Sequence, residues 1–324
     1  MDLLVVEPLD PEVLDWLSMR HAVVYAPHLA HDPREFRAAL GRVRGVVLPP
    51  SVAVDRAVLR AAPYLMTVGR LSAGAENLDL EACARAGVEV VRPATASANA
   101  EAEFAIGALL QMLRRVPVIN AEGLAVGREL GGSVIGIVGM TPAARPLATL
   151  LDTFGARVIG YDPAVHAGDG LWDRWGVEPV PLRQLMEHSD GVCVLLSYYS
   201  RYHGLLGSRY LSECKPNQVL VSLAPSGLFD EQALAHGLAT RRMAAAWFDS
   251  MEPGTLDPGR PLHNIDALQI TPRVASTTRE SRIRSAWAVA QRMDEILQAR
   301  ATEADFTSTT PGALAGLEDD PASA

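Results

Sequence analysis

The residue pattern predicts an α/β protein of two doubly wound parallel-sheet domains. Short apolar, β-branched runs alternate with amphipathic segments from Leu3 to Val91. The alternation gives way to one long helical stretch, Ala100 to Val116, and restarts at Val134. The first strand of the second series runs directly into a glycine turn, Gly139-Met140-Thr141-Pro142. Alternation of this kind implies parallel strands, because each return between parallel neighbours crosses the sheet face through a helix.

The first series opens with Leu3–Val6, an apolar strand. Its sequence, Met1-Asp2-Leu3-Leu4, lacks the basic start of a targeting peptide and is expected to be structural. Pro11 to Arg20 follows as a helix, with Asp10 as N-cap and Pro11 in the first position. Val23–Tyr25, Gly45–Leu48, Leu65–Val68 and Val88–Val91 are the next strands. Helices at Pro33–Gly41, Asp55–Ala62 and Ala82–Ala86 separate them. The long helix then ends at Pro117, with Arg114 and Arg115 in its last turn, where the helix dipole favours cations.

The second series places strands at Val134–Val138, Arg157–Tyr161, Gly191–Leu196, Val219–Leu223, Met243–Phe248 and Ala267–Ile270. Helices fit Pro142–Phe154, Pro181–His188, Ser208–Cys214 and Asp230–Thr240. This is a doubly wound sheet of the Rossmann kind. Thr278 to Arg300 forms a last long helix, and the small, polar, acidic residues 301–324 are expected to be a disordered tail.

Bulk composition excludes several function classes. The 324 residues are 48% apolar and 21% charged, enough for two globular domains. A net charge of −9 argues against nucleic-acid binding, which needs clustered Lys and Arg. The longest apolar stretch, Phe104 to Leu113, is too short to span a membrane. Cys83, Cys193 and Cys214 form no C-x-x-C, and the count suits a reducing cytoplasm. No His, Asp and Glu cluster suggests a metal site.

The glycine turn is the first chemical signal. In a dinucleotide fold it carries G-x-G-x-x-G/A. Gly139 fits the tight turn, and Ala144 fits the close helix–strand contact. Thr141 stands where the second glycine would let a pyrophosphate approach. Thr141-Pro142 nevertheless makes a good helix start, with Thr141 as N-cap. Asp162 ends the next strand, where a carboxylate accepts ribose hydroxyls and favours NAD over NADP. A stable strand–turn–helix and a turn aspartate before Pro163 explain the same residues without a ligand.

Further stretches carry a family resemblance. Gly69-Arg70 through Asn77-Leu78-Asp79-Leu80, followed by Ala86-Gly87-Val88, is one. Ala102-Glu103, Arg128-Glu129-Leu130, Lys215-Pro216, Gly227-Leu228-Phe229-Asp230-Glu231, Glu252-Pro253 and Thr271-Pro272 are the others. In order and spacing, from about Val5 to Leu297, the chain resembles the D-isomer-specific 2-hydroxyacid dehydrogenases. The resemblance implies a Rossmann NAD domain, 98–275, inserted in a flavodoxin-like substrate domain, 1–97 plus 276–300. It also implies a cleft between them, a small hydroxy or oxo acid substrate, and a homodimer built partly on the helix near Glu103.

That family uses Arg, His and Glu for its reaction. The acid position matches Glu252. The arginine position matches Pro225, which has neither charge nor donor, and the histidine position matches Arg273. A guanidinium keeps its proton at any working pH and cannot be a general base. Trp247 stands where the family has an Asp before its nicotinamide contact, and Ser197 where it has a cofactor-side Pro. Ser72-Ala73-Gly74 is a loop able to offer backbone N–H groups to a carboxylate.

Two arrangements of Arg273 follow. Either it clamps the substrate carboxylate while Tyr198, Tyr199, His203 or His263 supplies the base, or it pairs with Glu252 and seals the cleft. The ion pair is the preferred expectation. Two functions stay open in consequence: a divergent NAD-dependent oxidoreductase, or a catalytically inactive relative that binds a nucleotide, metabolite or protein.

Overall fold

The computed structural model describes residues 2–72, 74, 77–93, 95–116, 118–119 and 121–308. The chain divides into two compact units, Met1–Pro93 with Ile283–Ala324, and Ala94–Arg282.

The first unit contains β1 (Leu3–Val5), α1 (Pro11–Ser18), β2 (Val23–Tyr25), α2 (Pro33–Ala39), β3 (Gly45–Val47), α3 (Arg56–Ala61), β4 (Thr67–Gly69), α4 (Leu80–Arg85) and β5 (Glu89–Val91). All five strands are parallel, in the order β2-β1-β3-β4-β5. Asp10, Asp32, Asp55 and Asp79 each cap the helix that follows by accepting backbone N–H groups of its first turn. Both faces of the sheet are buried. Leu4, Val46 and Val68 enter one core, while Leu3, Val5 and Val47 enter the other with Val289 and Met293 of the final helix. A Cβ on Gly69 would lie 2.5 Å from the Met293 sulfur, so that helix seats directly on the strand.

The second unit starts with α5 (Ala98–Arg115) and a two-stranded antiparallel ribbon, β6 (Val118–Ile119) with β7 (Ala125–Val126). Next come β8 (Val134–Val138), α6 (Ala144–Thr153), β9 (Arg157–Tyr161), α7 (Leu171–Trp175), β10 (Glu178–Pro179), α8 (Leu182–His188) and β11 (Gly191–Val194). The series closes with α9 (Ser208–Leu211), β12 (Val219–Ser222), α10 (Glu231–Ala239), β13 (Ala245–Phe248) and β14 (Leu268–Ile270). The seven-stranded sheet is parallel throughout, ordered β10-β9-β8-β11-β12-β13-β14.

Alternate strand residues explain why the sheet reads as continuous apolar runs. Ile135, Ile137, Cys193, Val219 and Val221 face one core, while Val138, Val192, Val194 and Leu220 face the other. Small residues on α5 (Ala98, Ala102, Ala105) recur at helical spacing with Leu109 and Met112 and bury that stripe. All three cysteines are buried and unbridged. Burial pushes the Cys193 and Cys214 thiols up to about 12, which removes them as nucleophiles.

The expected two-sheet architecture is present. Two expected details differ. The helix after the glycine turn begins at Ala144, capped by the Ala143 backbone without a side-chain bond, so Thr141 is not its N-cap. The last helix runs Arg279–Ser308, past the expected end at Arg300. Residues 309–324, the rest of the expected tail, lie outside the described residues. Among the described residues no helix is long and apolar enough to cross a membrane, and no group of His, Cys, Asp and Glu could hold a metal ion.

Candidate functional site

Strand order reverses direction in the second unit between β8 and β11. In an open parallel sheet, ligands bind beyond the carboxyl ends of the strands at such a point. Adjacent strands β8, β11, β12 and β13 bring four loops to that edge in sequence. They carry Gly139, Leu196 to Tyr198, Pro225 to Gly227, and Glu252.

Gly139 adopts φ +102°, a left-handed conformation that a Cβ disfavours. A Cβ there would also lie 2.5 Å from both the Leu196 amide nitrogen and its Cα. The turn therefore needs glycine for two reasons, and it locks the β8 loop against the β11 loop.

The donors of this turn can be counted. Gly139 N–H donates to the Tyr161 carbonyl at 2.8 Å, and Met140 N–H to Asp162 Oδ2 at 2.7 Å. Ala144 N–H donates back to the Thr141 carbonyl at 2.9 Å, and Pro142 has no N–H. Among the described residues, Thr141 and Ala143 are the turn amides with no hydrogen bond. The Thr141 hydroxyl is buried and has no partner either. An anion placed at the turn would meet two amides and one hydroxyl, at the start of α6. Thr141 fills the space a second glycine would leave, yet it supplies a donor in exchange. The cradle and the orphaned hydroxyl fit a dinucleotide phosphate, in a tighter site than the three-glycine form.

Asp162 has a structural role at this turn. One oxygen accepts from Met140 and the other from Ala164 N–H at 2.7 Å. Its lone pairs beyond these two bonds can accept ribose hydroxyls. Ala144 is fully buried at the first turn of α6, consistent with close helix–strand contact.

Farther along the edge, Tyr198 and Glu252 flank one glycine. A Cβ on Gly227 would lie 3.1 Å from Tyr198 Cε2 and 3.5 Å from Glu252 Oε1. Glu252 N–H donates to Ser226 Oγ at 3.3 Å, which ties its loop to the segment after Pro225. Pro225 precedes a single 3-10 turn, Ser226–Leu228, and brings no polar side-chain atom. Ser197 lies between Leu196 and Tyr198 on an exposed stretch of loop. Tyr198 Oη is 3.3 Å from His203 Nδ1. Tyr199 instead stacks edge-on with Tyr202 under Arg201, and His263 Nδ1 lies 2.9 Å from the Leu256 carbonyl.

Arg273 does not meet Glu252. The expected ion pair is not among the salt bridges of the described residues, and Arg273 Nε donates to Ser250 Oγ at 3.0 Å. The cause is Asp249, a residue outside the set predicted from sequence. Its buried carboxylate accepts from Thr271 Oγ1 at 2.7 Å, Val274 N–H at 2.9 Å and Ala275 N–H at 2.8 Å. Its carbonyl accepts the Arg273 N–H at 2.6 Å. These bonds bend the loop so that Arg273 takes φ +56°, unusual for a side chain with a Cβ.

Trp247 extends the same network. Its indole N–H donates to Thr271 Oγ1 at 3.2 Å, and its ring packs edge-on against Phe104 of α5, centroids 5.5 Å apart. One turn earlier on α5, Glu101 accepts from Ser97 Oγ at 2.7 Å. Burial raises the Glu101 pKa; the Ser97 bond opposes this, and the Asp249 charge adds to it. Nothing in the sequence separates Asp249 or Glu101 from ordinary loop and helix carboxylates.

In the first unit, the fully buried Arg70 supports the loop that follows it. Its guanidinium donates to Ser72 Oγ at 2.7 Å and to Asn77 Oδ1. Asn77 Nδ2 in turn donates to the Val52 carbonyl. Gly74 is half-buried on this loop, and Ala73 lies outside the described residues.

Comparison with known proteins agrees with this architecture. Residues 107–275 match the family model of the D-isomer specific 2-hydroxyacid dehydrogenase, NAD binding domain. The chain is 28% identical to an (S)-sulfolactate dehydrogenase of Chromohalobacter salexigens, over 93% of this chain and 99% of that protein. It is 30% identical to a D-3-phosphoglycerate dehydrogenase of Mycobacterium bovis, over 80% of this chain and 50% of that one. The chain thus spans about half the length of that second relative. A crystal structure of a Thermus thermophilus protein superposes with TM-score 0.76 at 25% identity, over 92% of this chain and 97% of the other.

Proposed function

Because the chain belongs to the D-isomer specific 2-hydroxyacid dehydrogenases and carries their NAD-binding domain, we propose that it is an NAD-linked oxidoreductase with a rebuilt catalytic set. Its substrate is a small 2-hydroxy acid, or the matching 2-oxo acid, reacting at the CH–OH carbon. The observation that supports this most is the glycine turn. Gly139 keeps the left-handed turn against Leu196, and the Thr141 hydroxyl is buried without a partner beside it. A turn kept only for folding gains nothing from an unsatisfied buried hydroxyl, which costs about 1–3 kcal/mol.

When bound, NAD supplies the hydride exchange. The protein's own groups do the rest. Thr141 and Ala143 N–H with the Thr141 hydroxyl hold the phosphates, Asp162 holds a ribose, and the Ser197 loop borders the nucleotide. Arg273 provides the fixed positive charge that Pro225 lacks, with its stem held on Ser250. Glu252 lies beside Gly227 and orients the reacting end. In the first unit, Ser72 and Gly74, on a loop braced by Arg70, keep the expected role of offering backbone donors to a carboxylate.

The same reading extends to a homodimer. Ile119 and Leu124 on the β6–β7 ribbon are 69% and 61% exposed, an apolar surface suited to a second copy of the chain. Three buried free thiols fit a reducing cytoplasm.

Calorimetry with NAD and NADH, followed by NADH oxidation with a panel of 2-oxo acids, tests the proposal. Binding with turnover is the expected result. Binding without turnover supports the second reading, an inactive relative that retains the nucleotide site, which the loss of polar groups at Pro225 favours. No binding overturns both. Arg273→His with Pro225→Arg adds a check: activity only in that double variant also favours the inactive reading.

A further inference from the structure

We propose that Tyr198, backed by His203, is the proton-transfer pair of this site, in place of the imidazole that Arg273 has displaced. This rests on the oxidoreductase reading above. Four sequence positions are open for the role, and the structure distinguishes them. Tyr198 Oη and His203 Nδ1 are 3.3 Å apart. Tyr199 is engaged with Arg201 and Tyr202, and His263 is turned to a main-chain carbonyl. Of the four, only the Tyr198 and His203 side chains touch each other.

Placement supports the same pair. Leu196 contacts the nucleotide turn at Gly139, and Tyr198 follows two residues later on the same loop. The Tyr198 ring then lies on Gly227, where Glu252 Oε1 also arrives. The Tyr198 phenol therefore has the His203 imidazole, from its own segment after β11, on one side and the Glu252 carboxylate, after β13, across Gly227 on the other. The charged groups facing the pair are Glu252 across Gly227, and Arg201 over the Tyr199 and Tyr202 rings behind it. His203 is exposed and can exchange protons with water.

The proton balance closes without another group. In the reducing direction, bound NADH would supply the hydride, and the proton is left to the protein. The substrate oxygen takes the Tyr198 phenolic proton, Tyr198 regains one from His203 Nδ1, and His203 is reprotonated from solvent. In the oxidising direction each transfer reverses, and the proton lost by the hydroxyl leaves through His203. Tyr198 is the catalytic residue here, and His203 is a positioning and relay residue. General acid–base catalysis of this kind contributes about 10²–10⁴-fold.

The test uses the whole protein and two variants, Tyr198→Phe and His203→Gln. Tyr198→Phe is expected to lower kcat by on the order of 100-fold or more, with NADH affinity by calorimetry unchanged. His203→Gln is expected to lower kcat less and to displace the pH profile of kcat/KM. In the protein without cofactor, the NMR chemical shifts of the His203 ring nitrogens should change when the Tyr198 hydroxyl is removed. Wild-type turnover with Tyr198→Phe retaining more than about a third of it overturns this assignment alone. Unchanged His203 ring shifts overturn the coupling. A wild type without turnover on any 2-oxo acid overturns the oxidoreductase reading, and this pair with it.

Discussion

The Asp249 carbonyl accepts the Arg273 N–H at 2.6 Å, and the Asp249 carboxylate holds the two amides that follow, Val274 and Ala275. One aspartate thus fixes the backbone on which Arg273 stands. The left-handed φ of Arg273 is the cost of that grip.

Asp249→Ala removes a buried acceptor from Thr271 Oγ1 and two amides. Stranded donors cost about 1–3 kcal/mol each before relaxation. The variant is expected to lose about 3 kcal/mol or more of stability, measured by urea denaturation. Arg273→Gly at the same loop should cost less, because glycine relieves the positive φ. Equal stability of Asp249→Ala and wild type would contradict the clamp.

Gly139→Ala places a methyl 2.5 Å from the Leu196 backbone at a φ of +102°. Backbone cannot swing aside as a long side chain can. A loss of about 2–4 kcal/mol is expected, with NAD affinity falling in whatever fraction folds. Thermal denaturation and calorimetry measure the two effects. Thr141→Val isolates the second, since it removes only the hydroxyl: its stability should match or exceed wild type while NAD binding weakens.

Glu101 yields a pH prediction. Burial, reinforced by Asp249 and opposed by Ser97, raises its folded pKa above the ordinary 4.5. The folded state therefore holds this proton more tightly than the unfolded state. That contribution is complete below 4.5 and disappears as pH rises through the raised folded value. Glu101→Gln keeps an oxygen for the Ser97 hydroxyl and stays neutral. Its melting temperature should exceed wild type by a few degrees at neutral pH, and the two should converge in acid. A constant gap at all pH values would assign the effect to packing.

Ile119→Glu with Leu124→Glu puts two charges on the exposed ribbon. If two copies meet there, desolvating those charges weakens association by on the order of 100-fold. Sedimentation at several concentrations reads this directly. A wild type that stays monomeric, or a double variant that dimerises equally well, removes the ribbon from the interface.

Much of the fold is visible in the residue pattern because both sheets are parallel. Val134–Val138 and Gly191–Val194 are buried on two faces and so appear as unbroken apolar runs. Strand β10 gives no such signal: it is two residues long, and one is Pro179. The β6–β7 ribbon and helix α7 are equally hard to see, being too short to show a period. At the site, Gly139 and Asp162 are legible because local geometry demands them. Thr141 reads as a cap, yet Pro142 and Ala143 form a turn before the helix starts. Asp249 and the Arg273–Ser250 contact depend on segments about two dozen residues apart, so no local pattern announces them.

Cys83 lies in the first unit, and Cys193 and Cys214 lie in the second, all sealed inside cores. An alkylating reagent finds no sulfur to modify until one half of the molecule opens. Mass spectrometry of the modified peptides would then time each half by its own internal clock. The protein carries native probes for asking whether its two halves breathe together or apart.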